Sequence, residues 1–356
     1  MFKIIINRDD GQTFFHWRNH KQNPIRKNGG YKMFESMIEK LKTKQQKLVF
    51  TEGSDPRILE AASRLKKEKI LEPILLGAPE EIHMVSQKYG FLTNEIEIID
   101  PKTYPAIESM ALMMVELRKG KMDEATCRES LLKTNYFGTM LVKTGYADGL
   151  LGGATYSTAD TVRPALQIIK TSPGNKIVSS SFILYRKIEN VEEKYAMADC
   201  AINLNPSEDE LVEIAVETAR TARVFSIDPK VALLSYSTLG SGTGESVDKM
   251  RNTAAKLKSM NLDFPIDGEL QFDAAFSKEV AKIKASRSPV AGEANTFIFP
   301  DINAGNIGYK IAQRLGNFAA YGPILQGLNA PINDLSRGCN AEEVYNMAII
   351  TASLKG

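Results

Sequence analysis

Lys47-Leu48-Val49-Phe50-Thr51-Glu52-Gly53-Ser54-Asp55-Pro56-Arg57, together with the periodic segment 58–67 behind it, sets the architecture of this 356-residue chain. A short apolar run gives way to a polar turn, and apolar residues then recur at helical spacing. That is one strand–loop–helix unit. Upstream, the pattern predicts a helix over 34–41. Downstream, it predicts a strand over 74–77, a helix over 79–88, a strand over 96–99 and helices over 106–118 and 123–132. Further strands are predicted at 149–151, 176–182, 195–198, 231–236, 264–266 and 296–299, most of them followed by a Gly-, Asn- or Ser-rich loop and a helix. This alternation belongs to the α/β class, with mostly parallel strands and helices on both faces. Such sheets bind ligands at the carboxyl ends of their strands.

The composition is that of an ordinary globular protein, 43% hydrophobic and 25% charged, and the length predicts about two domains. The formal charge is +2, but residues 1–32 carry seven Lys/Arg against two Asp/Glu, so the remainder is mildly acidic. An acidic body argues against a nucleic-acid surface. The same 32 residues lack helical or strand period and read as a leader or an appended extension ahead of Met33. Cys127, Cys200 and Cys339 are too scattered for a metal site or a disulfide framework, which fits a reducing cytoplasm. No apolar run approaches the roughly 20 residues that span a bilayer.

Several loops hold groups that suit chemistry. In Gly152-Gly153-Ala154-Thr155-Tyr156-Ser157-Thr158-Ala159-Asp160-Thr161-Val162-Arg163, Gly admits a ligand to the backbone, and Ser157, Thr161 and Arg163 add donors. The alternative is a tight turn with a Ser/Thr cap. Ser235-Tyr236-Ser237-Thr238-Leu239-Gly240-Ser241-Gly242-Thr243-Gly244 matches neither a Walker loop nor a dinucleotide fingerprint and reads as a flexible βα loop. Asp267, Glu269 and Asp273 cluster carboxylates without a His, which reads as a solvated turn rather than a metal site.

The tail Asn333-Asp334-Leu335-Ser336-Arg337-Gly338-Cys339-Asn340-Ala341-Glu342-Glu343 is richest. Arg can grip phosphate with a planar fork, Ser can donate to a developing negative charge, and a carboxylate can take a proton. Asn340 and Glu343 also fit a capping box, in which the carboxylate only bonds back to the cap. Cys339 is either a nucleophile or a small buried thiol. With three His in the chain, two of them (His16 and His20) in the suspect leader, any general base is expected to be a carboxylate.

From about residue 33 to 356 the chain resembles the phosphate acetyltransferase (phosphotransacetylase) family of phosphate acetyl/butyryl transferases. The matching segments are Glu116-Leu117-Arg118-Lys119, Ser157-Thr158-Ala159-Asp160-Thr161-Val162-Arg163-Pro164, Leu234-Ser235-Tyr236-Ser237-Thr238, Ile266-Asp267-Gly268-Glu269-Leu270-Gln271 and Ser288-Pro289-Val290-Ala291-Gly292, with 310–315 and, most specifically, 321–339.

The resemblance implies the reaction acetyl-CoA + phosphate ⇌ acetyl phosphate + CoA. It also implies a two-domain α/β/α sandwich similar to isocitrate and isopropylmalate dehydrogenases, with the cleft between domains and a homodimer as the usual assembly. Domain I is then expected at 33–174 plus 326–356, and domain II at 175–325. By position, the acetyl-phosphate side of the family's site falls on Ser336 and Arg337, and its general base on Glu343, where some members have Asp. Its functional arginines fall on Arg57, Arg118, Arg163 and Arg314, with Arg57 and Arg118 expected at CoA phosphates. No tightly bound cofactor and no metal are implied; CoA is a substrate. The rival readings are a phosphate butyryltransferase, an acyl-enzyme on Cys339, a decarboxylating dehydrogenase of related fold and a CoA-sensing domain.

Overall fold

The computed structural model describes residues 30–355. The leader expected over 1–32 lies outside them, save its last three residues, which already belong to the first helix. Along the chain come α1 (Gly30–Thr43), β1 (Gln46–Phe50), α2 (Pro56–Lys67), β2 (Leu71–Leu76), α3 (Pro79–Tyr89) and β3 (Glu97–Ile99). Then follow α4 (Ile107–Arg118), α5 (Glu124–Leu131), α6 (Thr134–Lys143), β4 (Gly149–Gly152) and α7 (Thr158–Pro164), with a π-helical turn at Ala165–Ile169. The middle of the chain forms β5 (Ser179–Ile188), β6 (Val191–Ala198), α8 (Glu208–Val224), β7 (Val231–Leu234), α9 (Glu245–Ser259) and β8 (Ile266–Leu270). It continues with α10 (Phe272–Phe276), α11 (Lys278–Lys284), β9 (Thr296–Ile298), α12 (Ile302–Leu315) and β10 (Ala319–Gln326). The chain closes with β11 (Ile332–Asp334) and α13 (Ala341–Ser353).

The strands build two sheets. One is all parallel, in the order β11-β4-β1-β2-β3; the other runs β10-β5-β6-β9-β7-β8 and mixes an antiparallel hairpin edge with parallel strands. In the first sheet, β1 to β3 extend one way and β4 and β11 the other. The gap between β1 and β4 is therefore a topological switch point, where open parallel sheets place ligands.

Central strands of a parallel sheet are covered on both faces and read as unbroken apolar runs. Leu48 and Phe50 accordingly pack on one side with Leu59, Tyr345 and Ile349, while Val49 faces Phe137, Leu141 and Leu150 on the other. The first of these cores continues through α1 and α13 to Ile183, Tyr185 and Phe225, so those helices are wedged against both sheets.

Three expectations are corrected. The strand expected over 176–182 begins at Ser179 and runs on to Ile188 as the first arm of a hairpin, β5 and β6, paired from Ser181–Ala198 to Ile188–Val191, and 319–326 is a strand that the sequence did not announce. Asp267 and Glu269 lie in buried β8, not in a solvated turn. Glu269 is tolerated there because Arg251 pairs with it at 3.2 Å and because Ser237 Oγ and the Gly240 N–H donate to it at 3.1 and 2.7 Å. The Gly-rich loop 235–246 is thus folded around a carboxylate. Among the described residues no helix is long and apolar enough to cross a membrane, and no group of three His, Cys, Asp or Glu is placed to hold a metal ion.

Candidate active site

Three neighbouring strand ends supply the candidate site. β1 leads into Thr51–Asp55, β4 into Gly152–Ser157 and β11 into Leu335–Asn340, and these strands lie side by side in the order β11-β4-β1. The strand order brings together residues up to 282 positions apart in sequence. The loops then bond to one another. Leu335 N–H donates to Gly152 O at 2.7 Å, and Thr51 Oγ1 and Tyr156 Oη share a hydrogen bond of 2.7 Å.

Glycine is required where the loops meet. A Cβ on Gly152 would come within 2.2 Å of both Thr51 Oγ1 and Tyr156 Oη. Gly153 has φ +97°, and a Cβ there would lie 2.2 Å from Asp334 Oδ1.

Behind the loops stand two carboxylates that motif reading passed over. Glu52 accepts the Gly153 and Thr155 N–H groups at 3.1 and 2.9 Å and the Thr51 hydroxyl at 2.9 Å. Asp334, 3% exposed, accepts Thr158 Oγ1 and Thr161 Oγ1, both at 2.5 Å. Burial raises both carboxyls above their usual range against the pull of these donors. The signal for Asp334 was its place two residues before Ser336; Glu52 had none beyond its place in the first βα loop.

The predicted residues fall into distinct groups. Ser336 and Arg337 are exposed in the β11 loop, and the Arg337 side chain bonds to no described residue. Ser336 Oγ accepts the Gly338 N–H at 3.3 Å. Glu343 sits in the first turn of α13 and completes the capping box: its N–H donates to Asn340 Oδ1 at 2.9 Å and its Oε2 accepts the Asn340 N–H at 3.0 Å. Only one carboxylate oxygen is used by the cap, and the residue stays exposed.

Cys339 is 6% exposed, and burial pushes its thiol up to about 11, although the Arg57 guanidinium opposes the rise. A thiol so protonated is a poor nucleophile at neutral pH.

Thr161 is buried with its hydroxyl committed to Asp334, so it supports the loop rather than facing a ligand. Ser157 is exposed and donates to Asp160 at 2.7 Å in a second capping box. Arg118 and Arg163 gather around Tyr136, whose hydroxyl donates to Gln167 at 2.9 Å. Arg118 donates to Gln167 O at 3.2 Å and keeps a buried Nε without a partner, while Arg163 is exposed and draws Asp160 below its usual range after the Ser157 hydrogen bond.

Arg314 is exposed on α12, which packs on the second sheet, and it is bonded to none of the three loops. Arg57 lies among the loops, but its guanidinium is fully taken by protein acceptors. No N–H is left over for the CoA phosphate that the sequence reading gave it.

A family model described as Phosphate acetyl/butaryl transferase matches residues 32–352. A phosphate acetyltransferase of Bacillus subtilis is 53% identical over 321 residues, covering 90% of this chain and 98% of that protein. The crystal structure of a phosphotransacetylase from Streptococcus pyogenes superposes with a TM-score of 0.89 at 54% identity, over 91% of this chain and 98% of that one. An EutD phosphotransacetylase from Staphylococcus aureus gives a TM-score of 0.86 at 46% identity, over 92% and 100%. The β1, β4 and β11 loops all fall inside the matched region, and the chain belongs to the phosphate acetyl/butaryl transferase family.

Proposed function

We propose that the chain carries out the phosphate acetyltransferase reaction, acetyl-CoA + phosphate ⇌ acetyl phosphate + CoA, by direct transfer between two substrates held over the β11, β4 and β1 loops. In the direction of thioester synthesis, Glu343 takes the proton of the CoA thiol. The thiolate attacks the acetyl carbonyl, and the Ser336 hydroxyl donates to the oxyanion that forms. The carbon–oxygen bond to phosphate then breaks, and phosphate leaves with the electron pair while Arg337 neutralises its charge. The proton on Glu343 is returned to solvent or to phosphate. Arg118 and Arg163, around Tyr136, suit the CoA phosphates, with Ser157 at the rim. Arg314 would reach this site only from the second sheet's side of the cleft.

One observation carries the reading: Ser336 and the unpaired Arg337 side chain are exposed on a loop anchored at a switch point, and that loop runs directly into α13, whose first turn holds the exposed Glu343 carboxylate. Cys339, buried and protonated, supports direct transfer over an acyl-enzyme. The domain division at 33–174 plus 326–356 and 175–325 is supported by the strands of each sheet falling within those limits, save Gln326, the last residue of β10, which pairs in the second sheet. A homodimer, a cytoplasmic setting and CoA as substrate without a tightly bound cofactor complete the proposal.

The deciding measurement is thioester formation from acetyl phosphate and CoA, with wild type and Glu343→Gln. Gln can still accept the capping bond, so α13 stays folded. Turnover is expected to fall about 10²–10⁴-fold, the usual worth of a general base. Near-wild-type turnover would leave Glu343 as a cap alone. Parallel rates with butyryl phosphate separate acetyl from butyryl preference.

A further inference from the structure

We propose that Arg57 is a positioning residue, a five-bond clasp that holds the Ser336–Arg337 loop in register with the two neighbouring strand ends.

A guanidinium has five N–H donors in one plane. In Arg57 each has a protein acceptor. Nε donates to Asp55 Oδ1 at 2.9 Å and Nη2 to Asp55 Oδ2 at 2.8 Å, a two-pronged grip that fixes the plane of the group. The second Nη2 proton goes to Ala154 O at 2.9 Å, in the β4 loop. Nη1 donates to Arg337 O at 2.9 Å and to Cys339 O at 3.0 Å, on both sides of Gly338 in the β11 loop. One side chain from the first turn of α2, just past the β1 loop, therefore ties down the other two loops.

Asp55 is itself anchored, since it caps α2 by accepting the Arg57 N–H at 2.9 Å. The plane of the guanidinium is thus set by a helix end rather than by a ligand. The two carbonyls it holds belong to Arg337 itself and to Cys339, so the clasp fixes the backbone from which the Ser336 and Arg337 side chains extend. A reactive group displaced by about 1 Å can lose 10²-fold in rate, so the clasp bears on catalysis without touching either substrate. Lys offers three donors on a single nitrogen and cannot span three loops.

The inference rests on the reading that Ser336 and Arg337 act on acetyl phosphate, and its test keeps the two apart. Arg57→Lys and Asp55→Asn are each assayed for kcat, for KM toward CoA and for maleimide labelling of cysteines resolved by peptide mass spectrometry. The two variants should share one signature although only the first alters the cation: kcat down about 10²-fold, KM for CoA unchanged, and Cys339 labelled faster while Cys127 and Cys200 stay protected. A raised KM for CoA in Arg57→Lys, with Cys339 protected and kcat kept, would make Arg57 a ligand group and overturn the proposal. If Arg57→Lys labels all three cysteines through global unfolding, Asp55→Asn decides: full kcat with a protected Cys339 sinks the clasp. Arg337→Ala is the separate control. It should lose turnover with Cys339 still protected; retained turnover would reject the Ser336–Arg337 reading while the labelling results still judge the clasp.

Discussion

Glu52 and Asp334 show what a single residue contributes at this site. Both accept hydrogen bonds that favour the ionised form, yet burial dominates and raises both carboxyls. A carboxyl whose folded pKa lies above its unfolded value holds more protons when folded. The stability it contributes is therefore full below the unfolded pKa and is lost as pH rises through the folded one. For Glu52 that window opens near the ordinary value of 4.5 and runs upward. Glu52→Gln removes the titration but leaves an oxygen to accept the loop N–H groups. The melting temperature of the variant should rise relative to wild type between pH 4.5 and pH 7.5; a constant gap across that range would mean that Glu52 titrates as an ordinary carboxyl. At this scale the sequence already exposed Ser336, Arg337 and Glu343, whose residue types suit acyl transfer. It could not tell that Thr161 is spent on Asp334 or that Arg57 is spent on three loops, because a side chain's partners are set by tertiary neighbours.

The elements were legible where local chemistry is strong. Asp55-Pro56 starts α2 just ahead of the periodic segment at 58–67, and Asn340 and Glu343 cap α13 as their spacing predicts. Reading failed where long-range pairing decides. The segment 319–326, with two Ala, a Gly and a Pro, is a strand only because β5 supplies its partners. Asp267 and Glu269 looked like turn residues and are strand residues because Lys258 and Arg251 pair with them. The Gly153 hinge of the β4 loop gives the prediction for this level. Gly153→Ala forces a side chain into a left-handed backbone and against Asp334, and strain of this kind costs roughly 1–3 kcal/mol. Urea unfolding should show a loss of at least that order, with thioester formation falling in step. A variant as stable and as active as wild type would mean that the loop relaxes freely.

On the scale of the molecule, α12 leaves an apolar stripe uncovered. Ile307, Ile311 and Leu315 are spaced by four residues and are 58%, 52% and 82% exposed. An exposed apolar stripe of that spacing is the kind of surface that a partner can cover. A second copy of the chain is the occupant proposed here. If the proposed dimer forms through this stripe, Ile311→Glu combined with Leu315→Glu should give a folded monomer in sedimentation velocity where wild type sediments as a dimer, with the circular dichroism spectrum unchanged. A dimer that survives both changes would place the interface elsewhere.

The sequence by itself determined the α/β alternation, the caps of the helices, the loops that carry reactive groups and, through the motifs at 157–164 and 321–339, the family. Those are properties of neighbouring residues, fixed by backbone preference and spacing. The three-dimensional fold alone decided that β11, β4 and β1 lie side by side, that Glu52 and Asp334 are held off solvent, and that one arginine closes the loops on each other. Those depend on contacts between residues up to 282 positions apart, which no local pattern encodes.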